Sequence, residues 1–129
     1  GFKHPHPLSF PGGLALSVPL VSRLGFVSKA VDAIIEKAAS IAGTRTIILI
    51  AHEDCGAYKA GKIPLVDELV TRARGRSIQA IQKDHLVEAA KRLRVAFHGA
   101  KLQIRAFYAE IAHGAEGETV RFTEVHIPA

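Results

Sequence analysis

The run Thr46-Ile47-Ile48-Leu49-Ile50-Ala51 constrains this chain more than any other feature. It carries no charge, is rich in β-branched side chains and has the length of a strand. Apolar residues fall on both of its faces, so it has to be covered from both sides, as strands of parallel sheets are. A parallel strand also fixes where chemistry is expected, because ligands collect in the crevice outside the carboxyl ends of such strands. The segment that emerges there is His52-Glu53-Asp54-Cys55-Gly56.

The flanking sequence supplies helices. Val31, Ile34, Ile35, Ala38 and Ile41 recur at helical spacing, with Lys29, Asp32, Glu36 and Lys37 between them. Gly43 follows where a left-handed C-terminal cap belongs, so the spacing predicts a helix over residues 28–42. A second, longer helix is expected from Ser77, with Ile78, Ile81, Leu86, Ala89, Ala90 and Leu93 inward and Lys83, Asp84, Glu88, Lys91 and Arg92 outward, stopped by Gly99. Leu102 to Ile111 and Thr119 to Ile127 read as two further strands around the turn-like His113-Gly114-Ala115-Glu116-Gly117. Val66, Leu69 and Val70 suggest a short helix, and Leu8-Ser9-Phe10 a short strand entering the turn Pro11-Gly12-Gly13. Strands alternating with helices predict a three-layer α/β domain with a mostly parallel central sheet.

Length and composition agree with one domain spanning residues 1–129: 48% of residues are apolar and 22% charged, ordinary values for a globular chain. No apolar run is long enough for a membrane-spanning helix, so no membrane partner is expected. A formal charge of +5 permits nucleic-acid binding. Arg72, Arg74, Arg76, Lys91, Arg92 and Arg94 lack interleaved aromatics or a nucleic-acid motif, so solvated helix faces are the expectation for them. Gly12-Gly13 is too short for a phosphate loop. The single cysteine excludes an internal disulfide and suits a reducing compartment, which makes cytoplasm the expected location. The chain opens at Gly1 and contains no methionine, which fits either a glycine left by processing or a natural protein with further residues, methionines among them.

His52 and Cys55 are the candidate metal ligands. An imidazole and a thiolate both suit Zn²⁺, and a His-x-x-Cys spacing over a tight loop brings two side chains to one ion. Gly56 would let backbone, and with it substrate, pass close to that ion. The alternative is a core thiol beside a capping histidine. Asp54 is either an accessory ligand or a cap on the following helix. Tyr58 either lines a pocket or packs on the sheet edge. His4 and His6 could complete a ligand shell, but they sit in a Pro-rich arm where exposed histidines are the expectation. His85, His98, His113 and His126 have no ligand spacing and read as ordinary surface or partly buried histidines.

The string from Thr46 to Ala60, TIILIAHEDCGAYKA, resembles the second metal-binding segment of the β-class carbonic anhydrases, where an apolar strand ends in His-x-x-Cys-Gly and runs into a helix. It looks most like the divergent branch that carries His-Glu-Asp-Cys-Gly. Phe10-Pro11-Gly12-Gly13-Leu14-Ala15-Leu16 looks like the stretch before that family's long helix, with Pro-Gly-Gly in place of its Gly-Asn type of sequence. Downstream, the helix near Gln82 to Phe97 and the strand Leu102 to Tyr108 fall in the family's order. The likeness covers most of the chain, although only residues 52–56 are specific to it.

This resemblance implies a zinc enzyme for reversible hydration of carbon dioxide to bicarbonate, a lyase, in which water made acidic by the metal attacks as hydroxide. His52 and Cys55 match the second and third of the family's three protein ligands. The first belongs to a Cys-x-Asp-x-Arg segment on the first strand, whose Asp-Arg pair orients the chemistry, and nothing in these 129 residues matches it. Catalytic residues are therefore not carried over. Either that segment lies elsewhere in the natural protein, or the chain keeps the scaffold without the reaction. The resemblance also implies a homodimer or higher homo-oligomer, which would cover the edge and apolar face left by a missing first strand. The competing classes are a non-catalytic homo-oligomeric scaffold of the same fold and a basic nucleic-acid-binding module.

Overall fold

The computed structural model describes residues 25–53, 55, 58, 76–98 and 102–129. They form helix α1 (Gly25–Ala42), strand β1 (Thr46–His52), helix α2 (Ile78–Ala96) and strands β2 (Gln103–Gly114) and β3 (Gly117–Glu124). The expected segments around Leu8 to Leu16 and Val66 to Val70 lie outside the described residues, as does Gly99.

α1 ends as Gly43 predicts. Gly43 adopts φ 60°, its N–H donates to Ser40 O, and the Thr44 N–H donates to Ala39 O at 3.0 Å. This is the paired closure by which a left-handed residue satisfies the last carbonyls of a helix. α2 begins at a serine cap: Ser77 is extended, and its hydroxyl accepts the Ala80 N–H at 3.2 Å.

The sheet has the order β1-β2-β3. β1 and β2 are parallel, in a register pairing Leu49 with Ala106 and His52 with Ala109. β2 and β3 are antiparallel. The three described strands are therefore mixed rather than mostly parallel. Only Ala115 and Glu116 separate β2 from β3, with Gly117 at φ 119°, and so short a link cannot make the crossover a parallel pair requires.

α2 is the crossover between β1 and β2. Leu86, Ala89, Ala90 and Leu93 pack on Leu49, Ala51, Ile104, Ala106 and Tyr108. The alanines let helix and sheet approach closely, and Leu86 and Leu93 fill the space between, each contributing about 2 kcal/mol by leaving water. Ile35 of α1 packs on the edge of this core, and Asp32 forms an ion pair with Arg92 of α2. Ile34 and Ile41 stay exposed, so among the described residues only part of the apolar stripe of α1 is used.

The described residues make two of the three expected layers. The second face of the sheet presents Ile50 beside Phe107, Ala109 beside Phe122, and Ile111 beside Val120. Ile50, Val120 and Phe122 are each about half exposed. β3 ends at Glu124 instead of running to Ile127. Past Glu124 the chain turns onto the core: Val125 and Ile127 pack against it, and Arg94 in the last turn of α2 donates to the Pro128 carbonyl at 3.1 Å.

Candidate metal centre

His52 is the last residue of β1, at the carboxyl end of the parallel pair. Ala51 faces α2 and is buried, so alternation along the strand turns the exposed His52 side chain to the opposite face. His52 Nδ1 lies 2.8 Å from the Glu53 carbonyl oxygen. A carbonyl only accepts, so Nδ1 carries a proton, and in the neutral ring Nε2 is then the nitrogen with the free lone pair. That tautomer is the one a metal bound through Nε2 requires.

The strand end is held by three hydrogen bonds, two from β2 and one from α2. Glu53 N–H donates to Ala109 O at 2.8 Å, and Glu53 Oε2 accepts the Ile111 N–H at 3.0 Å. From the helical layer, Gln82 Nε2 donates to the His52 carbonyl at 3.0 Å. Gln82 is 2% exposed, and its Oε1 accepts the hydroxyl of buried Tyr108 at 3.1 Å. Both ends of one buried amide are thereby satisfied.

Cys55 is half-buried and carries a free thiol. Three residues on, the Tyr58 hydroxyl lies 2.6 Å from His85 Nδ1 and donates to it when His85 carries its proton on Nε2. The two rings lie 5.7 Å apart at 43°. Burial drives the Tyr58 phenol well above its ordinary value, and the nearby Cys55 adds to the rise. Burial pushes His85 down to about 4, Asp84 opposing and Arg76 assisting. At neutral pH the contact therefore joins two uncharged groups.

Of the residues expected in the site, the described structure carries His52, Cys55 and Tyr58, while Asp54, Gly56, His4 and His6 lie outside the described residues. No group of three or more His, Cys, Asp and Glu side chains is gathered for a metal among the described residues. The donor types of His52 and Cys55 fit zinc, and the fixed tautomer of His52 fits it as well.

Three participants escaped sequence reasoning. Gln82 and His85 lie in the buried stripe of α2 with Leu86, Ala89 and Leu93, whereas Ile78, expected inward, is 40% exposed. The buried face of α2 begins at Gln82, one turn after Ile78. The available signal was that Gln82 and His85 share the phase of Leu86 and Leu93. The third participant, Glu53, gave no periodic signal, because it acts through a strand register that the sequence does not display.

The basic residues are engaged locally. Arg76 pairs with Asp84 at 2.6 Å, Arg92 with Asp32, and Arg94 reaches the carboxyl-terminal carbonyls. Arg72 and Arg74 lie outside the described residues. His98, His113 and His126 are exposed. A cavity of about 590 Å³ lined by Arg94, Arg105, Glu124 and His126 lies at the other end of the sheet. There Arg105 is committed to Glu124 by two hydrogen bonds of 2.8 and 3.0 Å.

Fold and site together define a small α/β domain with a mixed sheet and a His-x-x-Cys loop at the carboxyl end of a parallel strand. No known family, curated protein or solved structure matches the chain. Among the described residues, no helix is long and apolar enough to cross a membrane.

Proposed function

We propose that this chain is a zinc-binding domain of the β-carbonic-anhydrase type, in which His52 Nε2 and the Cys55 thiolate are two of the metal's protein ligands. The observation that carries this reading is the His52 ring itself, whose Nδ1 is tied to the Glu53 carbonyl so that Nε2 is left as a donor at the mouth of a parallel strand. The half-buried Cys55 thiol, three positions on, supplies the second donor. When bound, zinc contributes Lewis acidity, which brings a coordinated water's pKa near neutrality and suits hydration of carbon dioxide.

What the chain's own residues do is hold the donors. Glu53 and Gln82 pin the His52 backbone, and His85 pins Tyr58. The remaining ligand and the Asp-Arg pair belong, in this reading, to a strand supplied from outside these 129 residues and lying beside β1. Support for such a strand comes from β1, which is the most apolar strand of the sheet yet stands at its edge among the described residues. That strand and a second helical layer would complete a three-layer domain. Zinc content of the purified protein tests the reading: about one zinc per chain supports it, with loss in Cys55→Ser and His52→Ala. A wild-type content below about a tenth of a zinc per chain would remove it.

A second reading, a non-catalytic homo-oligomeric scaffold of the same fold, draws on the half-exposed Ile50, Val120 and Phe122 of the second sheet face. It predicts no carbon dioxide hydration above background in the zinc-loaded protein. Measurable hydration, abolished by Cys55→Ser, would exclude it.

A further inference from the structure

Among the described residues, two side chains of α2 send hydrogen bonds to the His52 to Tyr58 segment. Gln82 and His85 stand three positions apart on the buried face of one helix, so they are neighbours on that face. Gln82 holds the carbonyl of His52, and His85 holds the hydroxyl of Tyr58. Cys55 lies between these two points of attachment.

Each anchor is itself braced. The Gln82 amide is oriented by the Tyr108 hydroxyl, and both side chains are buried, at 2% and 3% exposure. Rotating this amide would leave a buried carbonyl facing a carbonyl, so its orientation is fixed by satisfaction of hydrogen bonds. His85, 7% exposed, has Leu86 beside it in the core. Leu86, Ala89 and Leu93 lock α2 to the sheet that carries His52. The frame is therefore rigid on the helix side, and it ties the chain at His52 before Cys55 and at Tyr58 after it.

We infer that Gln82 and His85 are positioning residues for the metal centre: together they set where Cys55 stands relative to His52. The inference rests on the zinc reading for its purpose but not for its test, because the anchoring acts in the metal-free protein too. Neither residue is a ligand. Gln82 works through the His52 backbone and His85 through Tyr58, in the manner of outer groups whose loss weakens a metal site about 10- to 100-fold.

The experiment uses the full chain and the variants Gln82→Met, Tyr58→Phe, His85→Leu and the conservative His85→Asn, whose amide can still meet the Tyr58 hydroxyl. Two quantities are read on each: zinc affinity by chelator competition, and the rate at which iodoacetamide alkylates Cys55 in the metal-free protein. Gln82→Met, Tyr58→Phe and His85→Leu are expected to weaken zinc at least about tenfold, with His85→Asn recovering most of it. They are also expected to speed alkylation about fivefold, as loss of one hydrogen bond loosens a local segment.

If His85→Leu fails to fold, Tyr58→Phe, which removes a single oxygen, reads the same anchor. Alkylation rates within a factor of about two of wild type in both Gln82→Met and Tyr58→Phe would overturn the inference, whatever the metal result. If the wild type binds no zinc while these variants still alkylate faster, the zinc reading falls and the anchoring stands.

Discussion

Glu53 Oε2 accepts the backbone N–H of Ile111 at 3.0 Å, so a side chain takes the place of a strand carbonyl one residue after β1 ends. The backbone N–H of the same Glu53 continues the ladder to Ala109. One residue thus extends the parallel pairing past His52 while its chain turns away into the loop.

Replacing Glu53 with Ala should therefore loosen the end of the ladder without disturbing the core. We expect a loss of about 1 kcal/mol or less in global stability, because the bond is exposed to water. Amide exchange at Ile111 should quicken, and Glu53→Gln, which keeps an acceptor, should restore most of the protection. Unchanged exchange at Ile111 in Glu53→Ala would show that the carboxylate plays no such part.

His85 gives stability a defined pH dependence. Its ordinary value of 6.5 falls to about 4 in the fold, so the unfolded chain takes up a proton first as pH drops. Stability should be lost progressively from about pH 6.5 down to about pH 4, with no further loss from this group below that. The full effect is on the order of 3 kcal/mol. Urea midpoints measured across this range should fall for the wild type and fall less for His85→Asn. Parallel curves for the two proteins would remove His85 as the cause.

Leu86 sits at 0% exposure where α2 meets the sheet. Leu86→Ala should cost about 2 to 5 kcal/mol by lost transfer energy plus the cavity left behind. Denaturant unfolding checks this, and a loss under about 1 kcal/mol would mean that the helix does not rest on this residue.

Gly43 lies at φ 60° with open space where a Cβ would go, so only the backbone conformation resists substitution. Gly43→Ala should cost about 1 kcal/mol, and Gly43→Asn less, because asparagine tolerates the left-handed region. Equal stability of all three proteins, measured by thermal unfolding, would contradict the capping geometry.

The readable part of the fold was the part that local physics decides. The charge-free run from Thr46, the serine before Ile78 and the glycine after Ala42 each mark a boundary by the conformation they favour. β1 begins at Thr46, α2 follows Ser77, and the turn around Gly114 to Gly117 joins two strands. The direction of β3 was also implied by that short turn, yet the general α/β pattern suggested a mostly parallel sheet. Local loop length overrode the class-level expectation. Ile34 and Ile41 misled in a different way: helical spacing shows that a stripe is apolar, but not what covers it.

At the candidate centre the sequence displayed the donors and hid their supports. His52 and Cys55 stand out because an imidazole and a thiolate close a run of hydrocarbon. Gln82, His85 and Tyr108 matter only through contacts between residues 26 to 30 positions apart, and no spacing rule reaches that far. A buried glutamine in an otherwise apolar stripe is the one sign that a polar partner waits opposite.

Zinc-edge X-ray absorption of the metal-loaded protein tests the central claim most directly. The account predicts one sulfur scatterer at about 2.3 Å and at least one imidazole nitrogen at about 2.0 Å, with the sulfur shell lost in Cys55→Ser and the imidazole signal reduced in His52→Ala. A zinc shell of oxygen and nitrogen alone in the wild type, unchanged by Cys55→Ser, would contradict it.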